Sequence, residues 1–318
     1  MRRTVRLLAL GAALAALLAG VADAETIKLA VGQRGNWDTA VAELGQQAGI
    51  FRKHGLELEI LYTQGGGETQ QAVLTRSVQV GVAAGTLGVL GAAARGAPLR
   101  IIGAEITGAN DIYWYAPAAS PVRTAADLAG RSVAYSTNGS SSHAVLLMQQ
   151  ARIGGGLKPV ATGTAPSTYT QAMSGQVDVG WANPPFGIDG LDRTIRIVFR
   201  GSDLPDTREQ TVRVLITHAA DLAERGALID RFMAGYRETL DWMYASPDAI
   251  PTYARFAGIS EAVARRTRDE FFPKAVLDTG RVTGLDRLMA DAVAFKFLAA
   301  PLTAAQLEQV LAIRNSQR

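Results

Sequence analysis

Three consecutive serines in one short segment are the residues of this chain best suited to bind a ligand. The segment NGSSSH spans residues 138–143 and follows RSVAYS, an apolar run typical of a β-strand. Glycine permits a tight turn, and serine caps a helix whose first backbone N–H groups can bind an anion. Capping alone needs only one serine. The segment therefore indicates either an ordinary helix start or an anion-binding loop.

Glycine-rich and polar loops follow other predicted strands. QRGNW (33–37) ends in Trp37, whose indole offers an apolar face and one hydrogen-bond donor. TQGGGE (63–68) lets backbone amides approach a ligand, but no Gly-Lys-Ser/Thr follows, so it is not a P-loop. GT (85–86) and NPP (183–185) end two further strands. Ligands of open α/β sheets bind beyond the carboxyl ends of strands, where these loops lie.

The residue types that catalysis needs are missing or scattered. The three histidines, His54, His143 and His218, lie far apart and show no metal-ligand spacing. The chain has no cysteine, which excludes a thiol nucleophile, disulfides and cysteine-bound metals. Neither a GxSxG, an HExxH nor a Walker A sequence occurs. We therefore expect a protein that is not an enzyme, with no catalytic residues, no metal and no cofactor.

Short β-type runs alternate with helical segments over the first two hundred residues. Examples are TIKLAV (26–31), LELEILY (56–62) and VDVGWA (177–182). This alternation predicts an α/β fold with mixed, mainly parallel sheets flanked by helices. From Ala219 onward the pattern is helical. A stripe at helical spacing predicts core packing there, through Phe232, Tyr236, Leu240 and Met243.

Two parts of the chain resemble each other in the same order. Residues 28–50 parallel residues 132–153, and residues 71–85 parallel residues 171–184. The repeat predicts two related lobes with a ligand-binding cleft between them. Tyr113 and Trp114 lie where the chain crosses between the lobes. Strand alternation sends their side chains to opposite faces, so at most one is expected to face the cleft.

The first 24 residues have the pattern of an export signal. Three arginines precede the apolar run LLALGAALAALLAGVA, and Ala22-Asp23-Ala24 forms a small-x-small cleavage site. The run is short for a membrane span, which needs about 20 apolar residues. Its removal leaves 29 basic and 28 acidic residues, so the mature chain lacks the excess positive charge typical of nucleic-acid binding. We expect a periplasmic protein cleaved near Ala24 that binds no nucleic acid.

Several segments resemble the solute-binding proteins of the nitrate, sulfonate and taurine type, which include binders of thiamine-pyrimidine precursors. They are AELGQQAGIFRKHGLELEI (42–60), GGGETQQAVLTRSVQVGVAAG (65–85), TAADLAGRSVAYSTNGSSSHAVL (124–146) and MSGQVDVGWANPP (173–185). The resemblance covers essentially the whole mature chain. It implies a two-lobed periplasmic binding protein fold of type II that closes on a ligand and docks as a monomer on an inner-membrane ABC permease.

The resemblance also implies domain boundaries and site residues. Residues 1–24 would be the signal, 25–110 the first lobe, 111–205 the second lobe, and 206–318 the completion of the first lobe with the C-terminal helices. The second lobe would bind the anionic head of the ligand, while the first lobe and the third-strand loops complete the site. The expected ligand-binding residues are Trp37, Gly66, Gly85, Thr86, Gly139, Ser140, Ser141, Ser142 and Asn183.

The ligand itself is open at this point. A small organic anion such as a sulfonate is the first expectation, and an aromatic carboxylate or a pyrimidine-type compound is the alternative. No arginine adjoins the serines in sequence, so an anion would depend on N–H and hydroxyl donors, or on Arg34 or Arg213 from elsewhere. A fold-related enzyme of pyrimidine synthesis is the remaining alternative. It is disfavoured because those enzymes use a cysteine-rich motif.

Overall fold

The computed structural model describes residues 24–189 and 191–314, so nearly all of the expected signal (residues 1–24) lies outside them. Ten strands carry the fold within that range. They are β1 (Glu25–Gly32), β2 (Leu56–Thr63), β3 (Val80–Gly85), β4 (Leu99–Thr107), β5 (Tyr113–Pro117), β6 (Ser132–Tyr135), β7 (Lys158–Ala161), β8 (Gly180–Ala182), β9 (Ile195–Arg200) and β10 (Thr211–His218).

Five of these strands form the first sheet, in the order β2-β1-β3-β10-β4. Strand β1 runs parallel to β2 and β3, whereas β10 runs antiparallel to β3 and β4. The sheet thus takes four strands from the first part of the chain and a fifth that returns from about a hundred residues later. The apolar runs of β1, β3 and β10 are buried because helices cover both faces of their strands.

The remaining strands repeat this order. Strands β8, β5 and β9 form an antiparallel sheet, and β6 pairs with β7 in parallel. A parallel bridge between Val133 and Val179 links the two groups. The resulting order, β7-β6-β8-β5-β9, matches that of the first sheet, with β6, β7 and β8 in the places of β1, β2 and β3. The sequence repeat therefore corresponds to a repeat in structure.

Twelve α-helices surround the sheets within the described residues. They are α1 (Val41–Gln47), α2 (Ile50–Lys53), α3 (Gly66–Leu74), α4 (Thr86–Ala94), α5 (Ser141–Arg152), α6 (Ala165–Met173), α7 (Leu191–Thr194), α8 (Ala219–Ala245), α9 (Ala249–Ala257), α10 (Glu261–Arg266), α11 (Leu285–Ala294) and α12 (Ala304–Val310). Helix α8 carries the predicted apolar stripe, and all four residues of the stripe are buried. Phe232 of the stripe stacks on Phe51, with ring centroids 5.7 Å apart.

The predicted α/β architecture is present, with one difference in strand direction. The sequence predicted mainly parallel strands, yet β5, β8 and β9 pair antiparallel. Strand β5 follows β4 of the first sheet, and β10 follows β9 of the second sheet, with no α-helix in between. A parallel pair needs a long crossover connection, usually a helix, so these two strands pair antiparallel with their neighbours. Strand β7, which carries no distinct apolar run and is largely exposed, has no counterpart among the strands predicted from sequence.

The two connections between the sheets are residues 108–112 and 201–210. The boundaries expected from sequence, 110/111 and 205/206, fall within them, and the division into lobes at these points stays a prediction. Tyr113 and Trp114 follow the first connection. Both are buried, and their polar atoms donate hydrogen bonds to the main-chain oxygens of Phe186 and Ala134. Across residues 24–189 and 191–314, no helix has the length and apolarity that a membrane crossing requires.

Candidate functional site

A cavity of about 30 Å³, here called the head cavity, lies where loops of both sheets meet. Its walls come from the loop after β1 (residues 33–39), the start of α3 (65–66), the loop after β6 (136–142), the end of β8 (181–183) and Arg213 of β10. These are the strand-end loops that the sequence singled out. Of the nine predicted site residues, five line the cavity: Gly66, Ser140, Ser141, Ser142 and Asn183.

The three serines do different things in the head cavity. Ser140 is the N-cap of α5 and accepts a hydrogen bond from the backbone N–H of His143 at 3.2 Å. Ser142 Oγ accepts from the backbone N–H of Ser136 and lies 3.0 Å from the hydroxyls of Ser136 and Ser140. Ser141 Oγ receives only a long contact, 3.4 Å, from Arg213. Ser141 is therefore the hydroxyl with most capacity left for a ligand.

Arg213 is surrounded by carboxylates rather than by open space. Its Nη2 lies 2.9 Å from Asp38 and 2.8 Å from Asp111, and its Nε lies 2.9 Å from Glu105. All four side chains are buried. The cluster contains one arginine and three acids. If one acid is ionised the net charge is zero, and if more are ionised it is negative. Arg213 thus reaches the cavity but brings no unpaired charge to it.

The protonation of this cluster follows from its burial. Burial is the largest cause that raises the pKa of Glu105, and the charge of Asp38 adds to it while Arg213 opposes it. Burial likewise raises the pKa of Asp111 against the effect of Arg213. For Arg213 burial acts against the charged form, but the three carboxylates together raise its pKa above the ordinary value. The arginine therefore stays charged, and Glu105 and Asp111 bind protons more readily than exposed carboxylates do.

Two residues that line the cavity each have a buried polar atom without a hydrogen-bond partner in the described chain. These atoms are the indole Nε1 of Trp181, a donor, and Oδ1 of Asn183, an acceptor. The residues are 2% and 5% exposed. Asp38 Oδ1 and Glu105 Oε1 are also unpartnered among the described residues. The raised pKa of Glu105 favours a proton on its carboxyl group. A hydrogen bond from this proton to Asp38 explains why both oxygens are buried. For Trp181 Nε1 and Asn183 Oδ1, no group among the described residues provides such an explanation.

Backbone strain also concentrates at the cavity. Gln33 and Ala83 both line it, and both have positive φ angles, 67° and 64°, although neither is glycine. Such conformations cost free energy and cluster at ligand sites, where the surrounding structure holds them. At Ala83 the strand is irregular, since the pairing of β3 with β10 shifts register between Val214 and Ile216.

Four predicted site residues do not line the cavity. Trp37 is fully buried, donates to the hydroxyl of Tyr244 and packs edge-on against Tyr253. Thr86 donates its hydroxyl to the carbonyl of Thr211 at 2.6 Å. Gly85 and Gly139 instead face each other: a Cβ placed on Gly85 would come within 2.2 Å of the carbonyl oxygen of Gly139. These two glycines allow the two sheets' loops to approach closely.

A second, wider space of about 410 Å³, here called the wide pocket, adjoins the head cavity. Gln33 and Asn36 line both. Arg34 stands at the wide pocket with its guanidinium 4.4 Å from the ring centroid of Phe256. The other walls are largely apolar and include Pro166, Pro185, Phe186, Ala257, Ile259 and Val263. Arg34 therefore lies near the wide pocket and not at the serines.

Sequence reasoning missed the acids Asp38, Glu105 and Asp111 as a group, whereas the strand VDVGWA (177–182) did point to Trp181 as a residue of the floor. One signal was available: Arg213 stands in the apolar strand TVRVLIT, and a buried charge must be paired. The partners themselves could not be found that way, because they lie 102 to 175 residues away along the chain.

His143, which follows the three serines, makes the stability of the protein depend on pH. Burial lowers its pKa from 6.5 to about 4, and its ring stacks on Tyr135 at 4.3 Å. Between these pH values the unfolded chain binds a proton that the folded protein does not, so stability falls as the pH drops from about 6.5 to 4. The loss from this residue is at most about 3 kcal/mol.

We expect His143→Asn, which keeps an acceptor near Gly139 N–H, to lose less stability than the unchanged protein over this pH range. Urea unfolding at pH 7.5, 6.0 and 4.5 measures the free energy of unfolding of both proteins. The other titratable groups are the same in the two proteins, so their effects cancel in the difference. Parallel pH profiles would contradict the assignment.

The sequence matches one known protein family, and the fold matches solved structures of binding proteins. Residues 37–250 match the model of the NMT1/THI5-like family. The alkanesulfonate-binding protein SsuA from Xanthomonas axonopodis pv. citri, bound to MOPS, superposes with a TM-score of 0.72 at 21% identity, covering 90% of this chain and 96% of that one. The periplasmic aliphatic sulphonate binding protein SsuA from Escherichia coli gives 0.67 at 22% identity, covering 90% and 92%.

An enzyme has a similar fold. The desulfurization enzyme DSZB gives a TM-score of 0.59 at 15% identity, covering 91% of this chain and 96% of that one. No curated protein matches the sequence. At these identities the structural matches establish the fold alone, and the two-lobed α/β fold predicted from the sequence is confirmed.

Proposed function

The chain belongs to the NMT1/THI5-like family, and we propose that it is an exported, non-catalytic solute-binding protein that delivers a small organic solute to an inner-membrane ABC importer. The observation that carries this proposal is the head cavity. It is walled by matching loops of two repeated sheets, and it contains buried polar groups without partners in the described chain. The sulfonate-binding relatives of the same fold support it.

Access to the head cavity requires the two sheets to move apart. The cavity is too small for an organic solute to enter, and Gly67 N–H donates to Thr137 Oγ1 at 3.0 Å, a bond between loops of the two sheets. The two connections, residues 108–112 and 201–210, are the segments about which such a hinge motion would occur. Closure around the solute then presents a defined surface to the permease, to which we propose this protein docks as a monomer.

The absence of catalysis is part of the proposal. The titratable groups at the head cavity, Asp38 and Arg213, bond each other, so neither is placed as a free base or acid. The chain has no cysteine to act as a nucleophile. Recovery of a bound solute unchanged after long incubation supports binding, whereas a product detected by mass spectrometry would favour an enzyme of the kind that DSZB represents.

Export is proposed from the sequence of residues 1–24. Cell fractionation and N-terminal sequencing test it: a periplasmic protein that begins near Glu25 supports export and cleavage. A chain that keeps residues 1–24 and stays with the membrane would contradict cleavage.

The class of solute is the finer part of the proposal. The sequence favoured a sulfonate-like anion, and the serine hydroxyls with the N-terminus of α5 are donors that support an anion. The pairing of Arg213 Nε and Nη2 with three carboxylates weighs against an anion. Among the alternatives expected from sequence, an uncharged aromatic or pyrimidine-type solute avoids this repulsion.

A thermal-shift panel tests the function. Sulfonates, nitrate, aromatic carboxylates, aromatic amides and pyrimidines are added to the mature protein. A true ligand at a hundred times its Kd stabilises the native state by about 2.7 kcal/mol, which raises the melting temperature by several degrees.

We expect Ser141→Ala to reduce the shift caused by the binding compound, because it removes a hydroxyl that lines the cavity with spare bonding capacity. Thr303→Ala is the matched control. It removes the N-cap of α12, costs about 1 kcal/mol, and should leave the ligand-induced shift unchanged. No shift with any member of the panel would contradict the proposed function.

A further inference from the structure

The inference concerns the chemistry of the solute and rests on the proposed function. We propose that the solute enters the head cavity with an uncharged group that both accepts and donates hydrogen bonds, of the carboxamide type. Its apolar, aromatic-sized body lies in the wide pocket. The proposal names the solute's class from groups whose bonding the described protein leaves incomplete.

The hydrogen-bonding capacity of the cavity wall is the first argument. Trp181 Nε1 is a donor, Asn183 Oδ1 is an acceptor, and the two residues stand two positions apart at the end of β8. Both are more than nine-tenths buried and line the head cavity. Buried groups of this kind are costly unless bonded. A carboxamide satisfies both, since its oxygen accepts from the indole and its N–H donates to the asparagine.

Charge is the second argument. A carboxylate or sulfonate in the head cavity would face Asp38, which lines it and is 1% exposed. Arg213 offsets little of this repulsion, because its Nε and Nη2 are already paired with the three carboxylates and only Nη1 is turned toward Ser141. A buried anion without a counter-charge is strongly disfavoured, whereas a neutral amide is not. The head cavity therefore favours a carboxamide over the carboxylate of the same shape.

Size and surroundings are the third argument. The head cavity of about 30 Å³ has room for about two water-sized groups, which suits the oxygen and nitrogen of an amide better than the three oxygens of a sulfonate. The adjoining wide pocket of about 410 Å³ is large enough for a ring, and its apolar walls include Phe186, Ile259 and Val263. Gln33 and Asn36 lie at the junction of the two spaces.

The experiment compares benzamide with benzoate, which have the same ring and nearly the same shape. Calorimetry and thermal shift with the mature protein at pH 7.5 are expected to show binding of benzamide. Benzoate and benzenesulfonate are expected to bind at least tenfold more weakly. Equal or tighter binding of benzoate would overturn the proposal.

Trp181→Phe tests the donor. The variant keeps an aromatic side chain and removes an N–H that has no partner among the described residues. Because Trp181 is 2% exposed, the smaller ring also leaves a cavity that lowers the melting temperature, so the Kd is the informative measurement. The Kd of benzamide should rise about fivefold to tenfold. Trp114→Phe is the matched control, because Trp114 pairs with Trp181 across β5 and β8 but donates to Ala134 O at 2.8 Å. It should lower the melting temperature and leave the Kd unchanged.

The outcomes separate this inference from the proposed function. Binding of sulfonates or carboxylates without binding of benzamide would overturn the inference and leave the solute-binding function in place. An unchanged benzamide Kd in Trp181→Phe would overturn the assigned donor. If no compound in the thermal-shift panel binds, both the inference and the proposed function fail.

Discussion

Replacement of Arg213 by methionine is expected to destabilise the protein by about 3–5 kcal/mol at pH 7.5, the largest effect of any single change considered for this protein. The variant leaves Asp38, Glu105 and Asp111 buried without their shared cation. Removing one partner of a buried ionic cluster costs far more than the cluster contributes, because the remaining charges stay desolvated. Chemical unfolding measures the loss.

The pH dependence of Arg213→Met identifies the cause. Burial already raises the pKa of Glu105 and of Asp111. Without the arginine these groups bind protons more tightly in the folded state than in the unfolded chain, so stability falls with rising pH. We expect the deficit of the variant to shrink between pH 7.5 and pH 5.

An exposed ion pair provides the control for Arg213→Met. Lys274 lies 2.7 Å from Asp241, with the side chains 52% and 72% exposed. Lys274→Met should cost less than about 1 kcal/mol, because solvent screens the pair. If Arg213→Met lost no more stability than Lys274→Met, the buried-charge explanation would be contradicted. If the stability loss of Arg213→Met did not change with pH, lost packing would be its cause instead.

Alanine at Gly88 is expected to keep the two sheets apart and weaken ligand binding. A Cβ at this position would lie 2.4 Å from the carbonyl oxygen of Gly139 and 2.9 Å from its Cα, and both are backbone atoms that cannot rotate away. Overpacking of this kind costs about 1–3 kcal/mol in the closed form, which corresponds to roughly 5-fold to 150-fold in affinity. The three atoms nearest to this Cβ all belong to Gly139, and alanine otherwise favours the helix α4.

Distances between two spin labels measure the closure directly. The chain has no cysteine, so Leu61→Cys and Met173→Cys provide unique labelling sites. Both side chains are exposed, one on β2 and the other at the end of α6. We expect Gly88→Ala to shift the distance distribution away from that of the parent protein. An unchanged distribution with unchanged affinity would contradict a closing contact at this glycine.

Gly226 is the matched control for Gly88. It lies in α8 next to the kink at Arg225, and a Cβ added there meets nothing within 4 Å. Gly226→Ala should therefore leave the label distances unchanged. The comparison separates the effect of alanine in a helix from the effect of the contact with Gly139.

Local pattern in the sequence was enough to predict much of the fold. The alternation of apolar runs with helical segments gave the α/β class, and the repeat of residues 28–50 in residues 132–153 has its counterpart in the matching strand orders. The strand-end loops were also found, because a turn after a buried strand needs glycine or a helix-capping serine at fixed positions. For this reason Gly66, Asn183 and the serines of α5 could be placed near a common site.

Side-chain direction was decided only by the tertiary structure. Trp37 stands in a cleft loop, yet it points into the core because Tyr244, 207 residues away, accepts its N–H. The charge of the cavity depends likewise on Arg213 and on acids 102 to 175 residues distant. A sequence determines which positions turn and which are buried, since those properties depend on neighbours along the chain. Which groups then neutralise one another, and which are left for a solute, depends on contacts that only the folded chain creates.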